Sequence, residues 1–389
     1  MSLLSGYEQQ TAWKYEPIHG SFHTHEGLSQ KVNPDGSYAS FPGSTVVFRL
    51  ENQCLQIIQL MQKVLYHKLG GDMLASILPA SSLHMTLHDL ISREMCASHT
   101  EEGYRAKMAE SLDRAAAIAE GIRKDYVGQT ITMTADRIVN MVSKSLVLLL
   151  KPQTEQDYEL LLKIYGQFDA IMRLPYPLTP HITLAYFKPG MLDGERLGKA
   201  LDFAQIHREN APVFTFRPES LTAQSFLDMQ SYLDIPKRIC FCCDGGLNRS
   251  IMAANIVNHL ARERNLPVMG AARSAYPNTQ GWPVSEEVWG ILEERGINPD
   301  RSYSAAKYLE DEEIPFFSDF AAITTGAMER MSWLCLPKEK FHRVSRFFCG
   351  VRDPEYGEIT RRQAFDELYE RAVNYLDTFE TEYRKYVKK

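Results

Sequence analysis

Residues 84–87 read HMTL and residues 181–184 read HITL, so the pattern histidine, any residue, threonine, apolar residue occurs twice in the chain. Each copy lies within an apolar stretch and is therefore predicted to form a β-strand. Side chains alternate between the two faces of a strand, so the histidine and the threonine of each copy point the same way. If the two strands are neighbours, two imidazoles and two hydroxyls meet in one cleft.

Such a cleft suits the hydrolysis of a phosphodiester. One imidazole takes a proton from the attacking hydroxyl or water, and the other gives a proton to the leaving oxygen. Threonine hydroxyls donate hydrogen bonds to the non-bridging phosphoryl oxygens. This chemistry requires no metal ion. The catalytic residues that we predict for the first site are His84, Thr86, His181 and Thr183.

The paired motif resembles that of the 2H phosphoesterase superfamily, the cyclic phosphodiesterase and 2′-5′ RNA ligase-like enzymes. The resemblance spans roughly residues 40 to 235 and implies an α+β bilobal fold with one motif in each of two pseudo-symmetric lobes. From residue 44 onward the order strand, helix, motif strand, helix, strand is predicted twice, which amounts to a weak internal duplication. The alternative is two unrelated buried strands whose histidines form hydrogen bonds in the core.

Two further side chains are predicted to share the faces of the motif residues. Strand alternation places His88 on the face of His84, where it would contact substrate, orient His84, or lie near solvent at the strand end. Phe187 is placed on the face of His181, where it would stack on a base or belong to the core.

The composition is that of an ordinary soluble globular protein. The chain has 389 residues, enough for two or three domains, and is 44% hydrophobic and 24% charged. The longest apolar runs, such as Ser145–Leu150, are too short to span a bilayer, so no membrane partner is expected. The start of the chain has no signal-peptide pattern.

The cysteine content indicates the cellular compartment of the protein, and the net charge indicates the size of any nucleic-acid ligand. Seven cysteines in so long a chain do not indicate a disulfide framework, so we expect a cytoplasmic protein in a reducing compartment. A net charge of −6 disfavours a large nucleic-acid footprint, so a small nucleotide is favoured over a long duplex.

Residues 1–40 mix glycine, serine, histidine and aromatic residues without a clear period and are predicted to form an extended lead-in. His19, His23 and His25 invite a metal interpretation. They have no acidic or cysteine partner at fixed spacing, so a polar loop is favoured and no metal site is predicted.

A second motif, CDGGLNRS at residues 243–250, indicates different chemistry. It follows the apolar run 239–243, interpreted as a buried strand, and precedes a helical pattern over 251–263. On such a junction the loop N–H groups and the helix N-terminus form an anion cradle. Arg249 supplies a bidentate fork for phosphate oxygens, and the same positive field is expected to lower the pKa of Cys243.

The Cys243 thiolate would then attack phosphorus and form a phosphocysteine. Ser250 would hydrogen-bond the sulfur and ease its departure. The leaving oxygen also needs a proton donor, and the segment VRDPEYG lies far downstream at residues 351–357.

These segments resemble the phosphate loop and the Asp-Pro acid loop of low-molecular-weight protein tyrosine phosphatases, which share a fold with arsenate reductases. The resemblance runs from about Lys237 to the C-terminus and includes the strand end at 273–275 and the helix at 285–295. It implies an α/β three-layer fold with a short parallel sheet. By this match, Cys243 is the nucleophile, Arg249 binds phosphate, Ser250 assists and Asp353 is the general acid.

The second motif departs from that family's usual pattern at several positions. Asp244 replaces an apolar residue, and a carboxylate there would repel phosphate and raise the thiol pKa. Gly246 replaces asparagine, but glycine can hold a left-handed backbone unaided. Asn248 replaces a cysteine, which disfavours a redox relay, and residues 276–278 replace the usual stretch after the strand end.

These departures keep two alternatives open for the second motif: a loop that binds phosphate without turnover, and a structural cysteine on a glycine-rich turn. A metal site at Cys240, Cys242 and Cys243 is disfavoured, since no second ligand pair has metal-like spacing.

The sequence therefore predicts a lead-in (1–40), a 2H phosphoesterase-like domain (41–236) and a phosphatase-like domain (237–389). The expected function is a bifunctional phosphoesterase that needs no cofactor. The first site would cleave a cyclic nucleotide or an RNA end carrying a cyclic phosphate, and the second would hydrolyse phosphomonoesters. The alternatives are an independent protein phosphotyrosine phosphatase acting on a phosphoprotein, and a nucleotide or phosphate sensor with a degenerate loop.

Overall fold

The computed structural model describes residues 4–7, 20–92, 96, 99–206, 208–355, 357 and 359–387. The chain forms two compact units, Met1–Leu233 and Asp234–Lys389. Residues 1–3 and 8–19 of the predicted lead-in, among them His19, lie outside the described residues, as does Tyr356 of the predicted acid loop.

The first unit is built on one large sheet. In chain order, the strands up to residue 235 are β1 (Ser21–His23), β2 (Gly43–Arg49), β3 (His84–Ser92), β4 (Ile131–Met141), β5 (Ser145–Pro152), β6 (His181–Tyr186), β7 (Met191–Asp193), β8 (Val213–Phe216), β9 (Leu221–Phe226) and β10 (Tyr232–Ile235). The large sheet has the order β10-β9-β2-β3-β6-β5-β4-β8, and β1 pairs with β7 separately. The two motif strands, β3 and β6, are therefore central neighbours with three further strands on each side.

Helices cover the large sheet and complete an α+β fold, which confirms the predicted fold class. They are α1 (Asn52–Met73), α2 (Glu101–Asp125), α3 (Glu155–Phe168) and α4 (Gly194–Phe203). Helix α1 buries Leu55, Ile58 and Leu65, as their helical spacing predicts, and contacts β6. Helix α3 begins at a capping box, in which the Thr154 and Asp157 side chains each bind the other's backbone N–H. It packs against β3, β4 and β5.

Strand β9 has no sequence signal to match its place in the sheet. Its residues, LTAQSF, lack the apolar alternation of a half-buried strand, yet all are buried. Helix α2 packs against this strand, and β2 pairs with it in the sheet. Tertiary packing, rather than local pattern, therefore determines this strand.

Residues 20–40 differ from the extended lead-in that the sequence predicts. Strand β1 pairs with β7, and a 3₁₀ helix follows at Glu26–Gln30. Leu28 and Val32 are fully buried, so this segment belongs to the core of the first unit. The apolar residues that anchor it are too few to form a recognisable period in the sequence.

The second unit has a short parallel sheet with helices packed on it, which confirms the predicted α/β class. Its strands β11 (Lys237–Cys243), β12 (Val268–Ser274) and β13 (Asp319–Ala322) have the order β12-β11-β13. Its helices are α5 (Arg249–Glu263), α6 (Glu286–Glu294), α7 (Thr325–Trp333), α8 (Lys338–Phe348) and α9 (Arg361–Val387). Helix α6 begins after Ser285 as predicted, but the Ser285 side chain forms no capping hydrogen bond.

The central strand β11 is buried on both faces, as is typical of a parallel sheet. Cys240 and Cys242 are fully buried in a cluster with Phe320. Phe241 is also fully buried, and its ring packs edge-on against Phe348 with 4.9 Å between centroids. This packing fixes the position of β11, whose last residue is Cys243. Among the described residues, no helix is long and apolar enough to cross a bilayer.

Candidate functional sites

The first candidate site is a cavity of about 430 Å³ over the motif strands of the first unit. Its lining includes all the predicted catalytic residues of this unit: His84, Thr86, His181 and Thr183. Each of these side chains is partly exposed, whereas the residues between them, Met85 and Ile182, are fully buried. The strand alternation expected from the sequence therefore holds across both motifs.

The register of β3 against β6 defines how the motif side chains face each other. Met85 pairs with Ile182 in an antiparallel arrangement. Continued to either side of that pair, this register sets His84 opposite Thr183 and Thr86 opposite His181. Each imidazole thus faces the hydroxyl of the other motif, so one small anion can contact all four.

A β-bulge follows the first motif. Along β2, Val47 pairs with Thr86 and the preceding Val46 pairs with His88, which leaves Leu87 as an extra residue on β3. An extra residue inverts the faces of all the residues beyond it. The side chains after Leu87 therefore do not follow the alternation that the motif predicts.

The second motif has the same irregularity at the equivalent position. Along β5, Val147 pairs with Thr183 and Leu146 pairs with Ala185, which leaves Leu184 as the extra residue on β6. The two motifs therefore match in backbone geometry as well as in sequence.

The bulges correct the strand faces predicted for His88 and Phe187, and of the two alternatives for Phe187 the structure shows the core position. Both side chains are buried, at 1% and 0% exposure, and neither lines the cavity. The residues that line it instead are Asp89 on β3 and Tyr186 on β6. The sequence contains no signal for a bulge at these positions, which is why alternation selected the wrong neighbours.

His88 has a structural environment behind the cavity. Its Nδ1 lies 2.6 Å from the carbonyl oxygen of Asp89, and its Nε2 lies 3.5 Å from an oxygen of Asp169. Its ring packs on Tyr165 at 4.9 Å between centroids. It is therefore neither the substrate contact nor the solvent-exposed residue that the sequence suggested.

The histidine of the second motif is held in one orientation. His181 Nδ1 lies 2.7 Å from the carbonyl oxygen of Thr179. A carbonyl only accepts, so Nδ1 carries the hydrogen and Nε2 is left to exchange a proton. The ring of His84 packs edge-on against Tyr232 at 5.0 Å. Burial raises the pKa of Tyr232 well above its ordinary value, so this hydroxyl stays neutral.

Two lysines that the sequence analysis did not identify also line the cavity. Lys31 comes from the segment expected as a lead-in, and Lys144 from the tight turn between β4 and β5. In that turn Val142 and Ser143 both have a left-handed backbone, with φ of 46° and 54°. Both ammonium groups favour an anionic ligand, and neither could be found from the motifs because they lie far from them in sequence.

The second candidate site is the loop between β11 and α5. Cys243, 4% exposed, ends the strand, and its Sγ lies 3.2 Å from Ser250 Oγ. Arg249 opens the helix and donates from one guanidinium nitrogen to the Val351 carbonyl at 2.9 Å and from the other to Asp353 at 2.5 Å. The structure therefore brings together all the residues predicted for this site.

The acid loop is also tied to the phosphate loop through Glu355. Its carboxylate accepts from Asn248 at 2.5 Å and from Arg361 at 2.7 Å. Hydrogen bonding from Arg361, with a further contribution from Asn248, lowers the pKa of Glu355. Its backbone N–H donates to Asp353 at 2.9 Å, which orients that carboxyl group.

The phosphate loop depends on the close approach of Gly246 to β12. Gly246 has φ of 66°, and a Cβ there would lie 2.8 Å from the backbone nitrogen of Ser274. The Ser274 hydroxyl donates to the Asp244 carbonyl, and the Thr279 hydroxyl donates to the Gly245 carbonyl. These two bonds occupy carbonyl oxygens that would otherwise repel an anion.

Replacing Gly246 with alanine is expected to abolish phosphatase activity, because the loop must move away from Ser274. We expect a loss of stability of about 1–3 kcal/mol from the backbone strain. Gly281→Ala is the matched control, since Gly281 has φ of 79° but open space around its Cβ position. Hydrolysis of para-nitrophenyl phosphate and thermal unfolding measure the two effects. Wild-type turnover by Gly246→Ala would contradict this account of the loop.

Asp244 is held by the first turn of α7 rather than standing unpaired beside the cradle. Its Oδ1 accepts from the Thr324 hydroxyl at 2.7 Å. Thr324 is the N-cap of α7, and the positive end of a helix stabilises a carboxylate. The sequence analysis expected this charge to repel phosphate; the structure places the carboxylate at the N-terminus of α7, which favours a negative charge.

Cys240, Cys242 and His25 have structural roles. Burial raises the pKa of Cys240 to about 12 and that of Cys242 well above its ordinary value, so both stay neutral. His25 accepts from the N–H of Gly27 at 3.0 Å and caps a 3₁₀ helix. Within the described ranges, no three histidine, cysteine or acidic side chains are grouped so that they could hold a metal ion.

Comparison with protein families gives two matches, one in each unit. Residues 31–100 match the model named 2H-phosphodiest, described as a domain of unknown function (DUF1868). Residues 238–386 match the model of the low molecular weight phosphotyrosine protein phosphatase. No curated protein matches the chain.

Solved structures give similarities of low overall score. A low molecular weight protein tyrosine phosphatase from T. tengcongensis is 24% identical, with 36% of this chain and 99% of that chain covered and a TM-score of 0.33. The YwlE arginine phosphatase from Geobacillus stearothermophilus is 26% identical, with 38% and 95% covered and a TM-score of 0.31. A conserved protein of unknown function from Agrobacterium tumefaciens is 18% identical, with 58% and 95% covered and a TM-score of 0.40.

The family matches coincide with the two motif sets. The first match contains the HMTL motif, and the second contains the phosphate loop and the acid loop. The chain therefore combines a 2H-phosphodiesterase-like domain with a domain similar to low molecular weight phosphotyrosine protein phosphatases.

Proposed function

We propose that the protein is a bifunctional phosphoesterase whose two sites act in sequence on one nucleotide or RNA end. The first site opens a cyclic phosphate and leaves a monoester, and the second removes the monoester. The observation that best supports this proposal is that each unit brings its own set of predicted catalytic side chains together. The product class of the first set is the substrate class of the second.

At the first site, the two imidazoles divide the proton transfers. One takes a proton from the attacking water as the new P–O bond forms, and the other gives a proton to the ribose oxygen that leaves phosphorus. His181 exchanges its proton at Nε2, because Nδ1 is bound to the Thr179 carbonyl. Thr86 and Thr183 donate to the non-bridging oxygens as charge develops on them.

At the second site, the reaction passes through a covalent intermediate. The Cys243 thiolate attacks phosphorus, the bond to the ester oxygen breaks, and Asp353 gives that oxygen a proton. Water then attacks the phosphocysteine, Asp353 takes its proton back, and inorganic phosphate and the thiolate are released. Ser250, 3.2 Å from the sulfur, supports the thiolate as the leaving group.

Arg249 has two partners that phosphate would replace. Its guanidinium donates to the Val351 carbonyl and to the Asp353 carboxylate. A phosphate dianion accepts the same fork in bidentate geometry, so its binding would release the Asp353 carboxyl for proton transfer. The ion pair therefore links the acid loop to the phosphate loop.

The proton-donor role of Asp353 is tested by the choice of leaving group. Asp353→Asn is expected to lower kcat/KM for phenyl phosphate by about 10²–10⁴-fold, because phenolate must be protonated as it leaves. The loss should be much smaller for para-nitrophenyl phosphate, whose leaving group departs unprotonated. Asp366→Asn, at an exposed carboxylate paired with Arg295, is the control. Equal losses for both substrates would mean that Asp353 acts only through its ion pair with Arg249.

A further inference from the structure

The cavity of the first unit contains a carboxylate that the proposed chemistry does not use. Asp89 lies beyond the bulge of β3, three residues after Thr86, and its exposed side chain lines the cavity. Because of the bulge, Thr86 and Asp89 pair with Val47 and Thr45, which are two residues apart on β2. At about 3.3 Å per strand residue, Asp89 therefore lies roughly 7 Å along the sheet from the phosphate-binding threonine. That separation corresponds to the distance between the phosphate and the base of a nucleotide.

Tyrosines surround this carboxylate. The Tyr176 hydroxyl donates to Asp89 Oδ2 at 2.7 Å. Burial raises the pKa of Tyr165 and of Tyr186, and the nearby charge of Asp89 raises both further. All three tyrosines line the cavity, so their rings offer flat apolar surfaces on which a base can stack.

A carboxylate in this position disfavours binding of the anionic phosphate in the cavity. The phosphate of the substrate is an anion, and Lys31 and Lys144 favour it, whereas Asp89 does not. Within the part of the chain that the structure describes, Asp89 forms no ion pair, and its hydrogen-bond donor is the neutral Tyr176. A ligand that offers N–H donors would compensate this charge.

Among the standard bases, only guanine presents two adjacent N–H donors, N1–H and the N2 amino group, on one edge. They match the two oxygens of a carboxylate. Adenine and cytosine would present a ring nitrogen acceptor to one of those oxygens, and uracil would present carbonyl oxygens on both sides of its one donor. Such acceptor contacts with a carboxylate are repulsive, so the same group selects for guanine and against the other bases.

We propose that Asp89 is the specificity-determining residue of the first site and binds the N1–H and N2 amino group of a guanine base. This inference rests on the proposed nucleotide chemistry of the same cavity. The expected preference for guanosine over adenosine, cytidine and uridine is roughly 10- to 100-fold in kcat/KM, as for hydrogen bonds to a charged group.

The test uses hydrolysis of the four nucleoside 2′,3′-cyclic phosphates and of the xanthosine analogue. Asp89→Asn should remove the guanosine preference, because an amide replaces one acceptor with a donor. It should also raise activity on the xanthosine analogue above that on guanosine, since xanthine presents N1–H beside a C2 carbonyl. Asp113→Asn, at an exposed position on α2, is the matched control and should change neither ratio.

Calorimetric binding of guanosine and adenosine 2′-monophosphates to the full-length Cys243→Ser protein separates this inference from the proposed function. Tighter guanosine binding that is lost in the additional Asp89→Asn change supports the inference, even if no cyclic phosphate is hydrolysed. Equal binding of both nucleotides overturns it, even if every cyclic phosphate is hydrolysed. A preference for guanosine that survives Asp89→Asn also overturns it, because another residue would then read the base.

Discussion

Cys243→Ser is expected to lower hydrolysis of para-nitrophenyl phosphate by about 10⁴-fold or more, because a serine hydroxyl cannot replace the thiolate as nucleophile. The sulfur is placed for this role by its contact with Ser250 and by its position at the end of a strand that is almost entirely buried. The variant should still bind vanadate or phosphate, because Arg249 and the loop N–H groups remain.

Cys335→Ser is the matched control for this substitution. Cys335 is exposed and lies outside the loop, so its replacement should leave turnover unchanged. Hydrolysis of the cyclic phosphate by Cys243→Ser should also be unchanged, since that reaction belongs to the other unit. Equal phosphatase activity in Cys243→Ser and wild type would show that this loop only binds anions.

His84→Ala and His181→Ala are each expected to lower kcat/KM for a nucleoside 2′,3′-cyclic phosphate by about 10²–10⁴-fold, since each removes one of the two proton transfers. The assay is run with a chelator present, because the proposed reaction needs no metal ion. His67→Ala, on the exposed face of α1, is the control and should retain full activity. Retained activity in either motif variant would contradict the proposed division of the proton transfers.

The activity of the double variant, with both His84→Ala and His181→Ala, tests whether the two histidines act as a unit. Residues that act as a unit are not additive, so the double variant should be about as impaired as the more damaged single variant. Phosphatase activity should survive in all of these variants, which separates a local loss of chemistry from a general failure to fold.

The sequence was sufficient for those parts of the molecule that short-range patterns determine. The motif strands and the strand-loop-helix junction at Cys243 depend on residues that lie close together in the sequence. For the same reason, the four residues of each predicted catalytic set could be named in advance. The structure places each set together, as the pairing of Met85 with Ile182 and the ion pair of Arg249 with Asp353 illustrate.

The features that could not be predicted depend on contacts between distant parts of the chain. The bulges at Leu87 and Leu184 exchange His88 for Asp89 and Phe187 for Tyr186 at the cavity, and no local signal marks them. Lys31 reaches the cavity from a segment that has no recognisable period.

The partner of Asp244 illustrates the same limit of local patterns. Thr324 lies 80 residues further along the chain, so sequence reasoning could assess the charge of Asp244 but not its hydrogen-bond partner. Comparison with the family's usual motif identified Asp244 as an unusual residue in the loop. Only the tertiary fold showed that the Thr324 hydroxyl donates a hydrogen bond to it.

The most direct test of the account follows one nucleoside 2′,3′-cyclic phosphate through both reactions by ³¹P NMR. Wild-type protein should convert it to inorganic phosphate, with the nucleoside monophosphate as a transient. Cys243→Ser should stop at the monophosphate, and His181→Ala should leave the cyclic phosphate intact while still hydrolysing added monophosphate. Inorganic phosphate formed at the wild-type rate by Cys243→Ser, or a monophosphate that the wild-type protein never consumes, would contradict the sequential account.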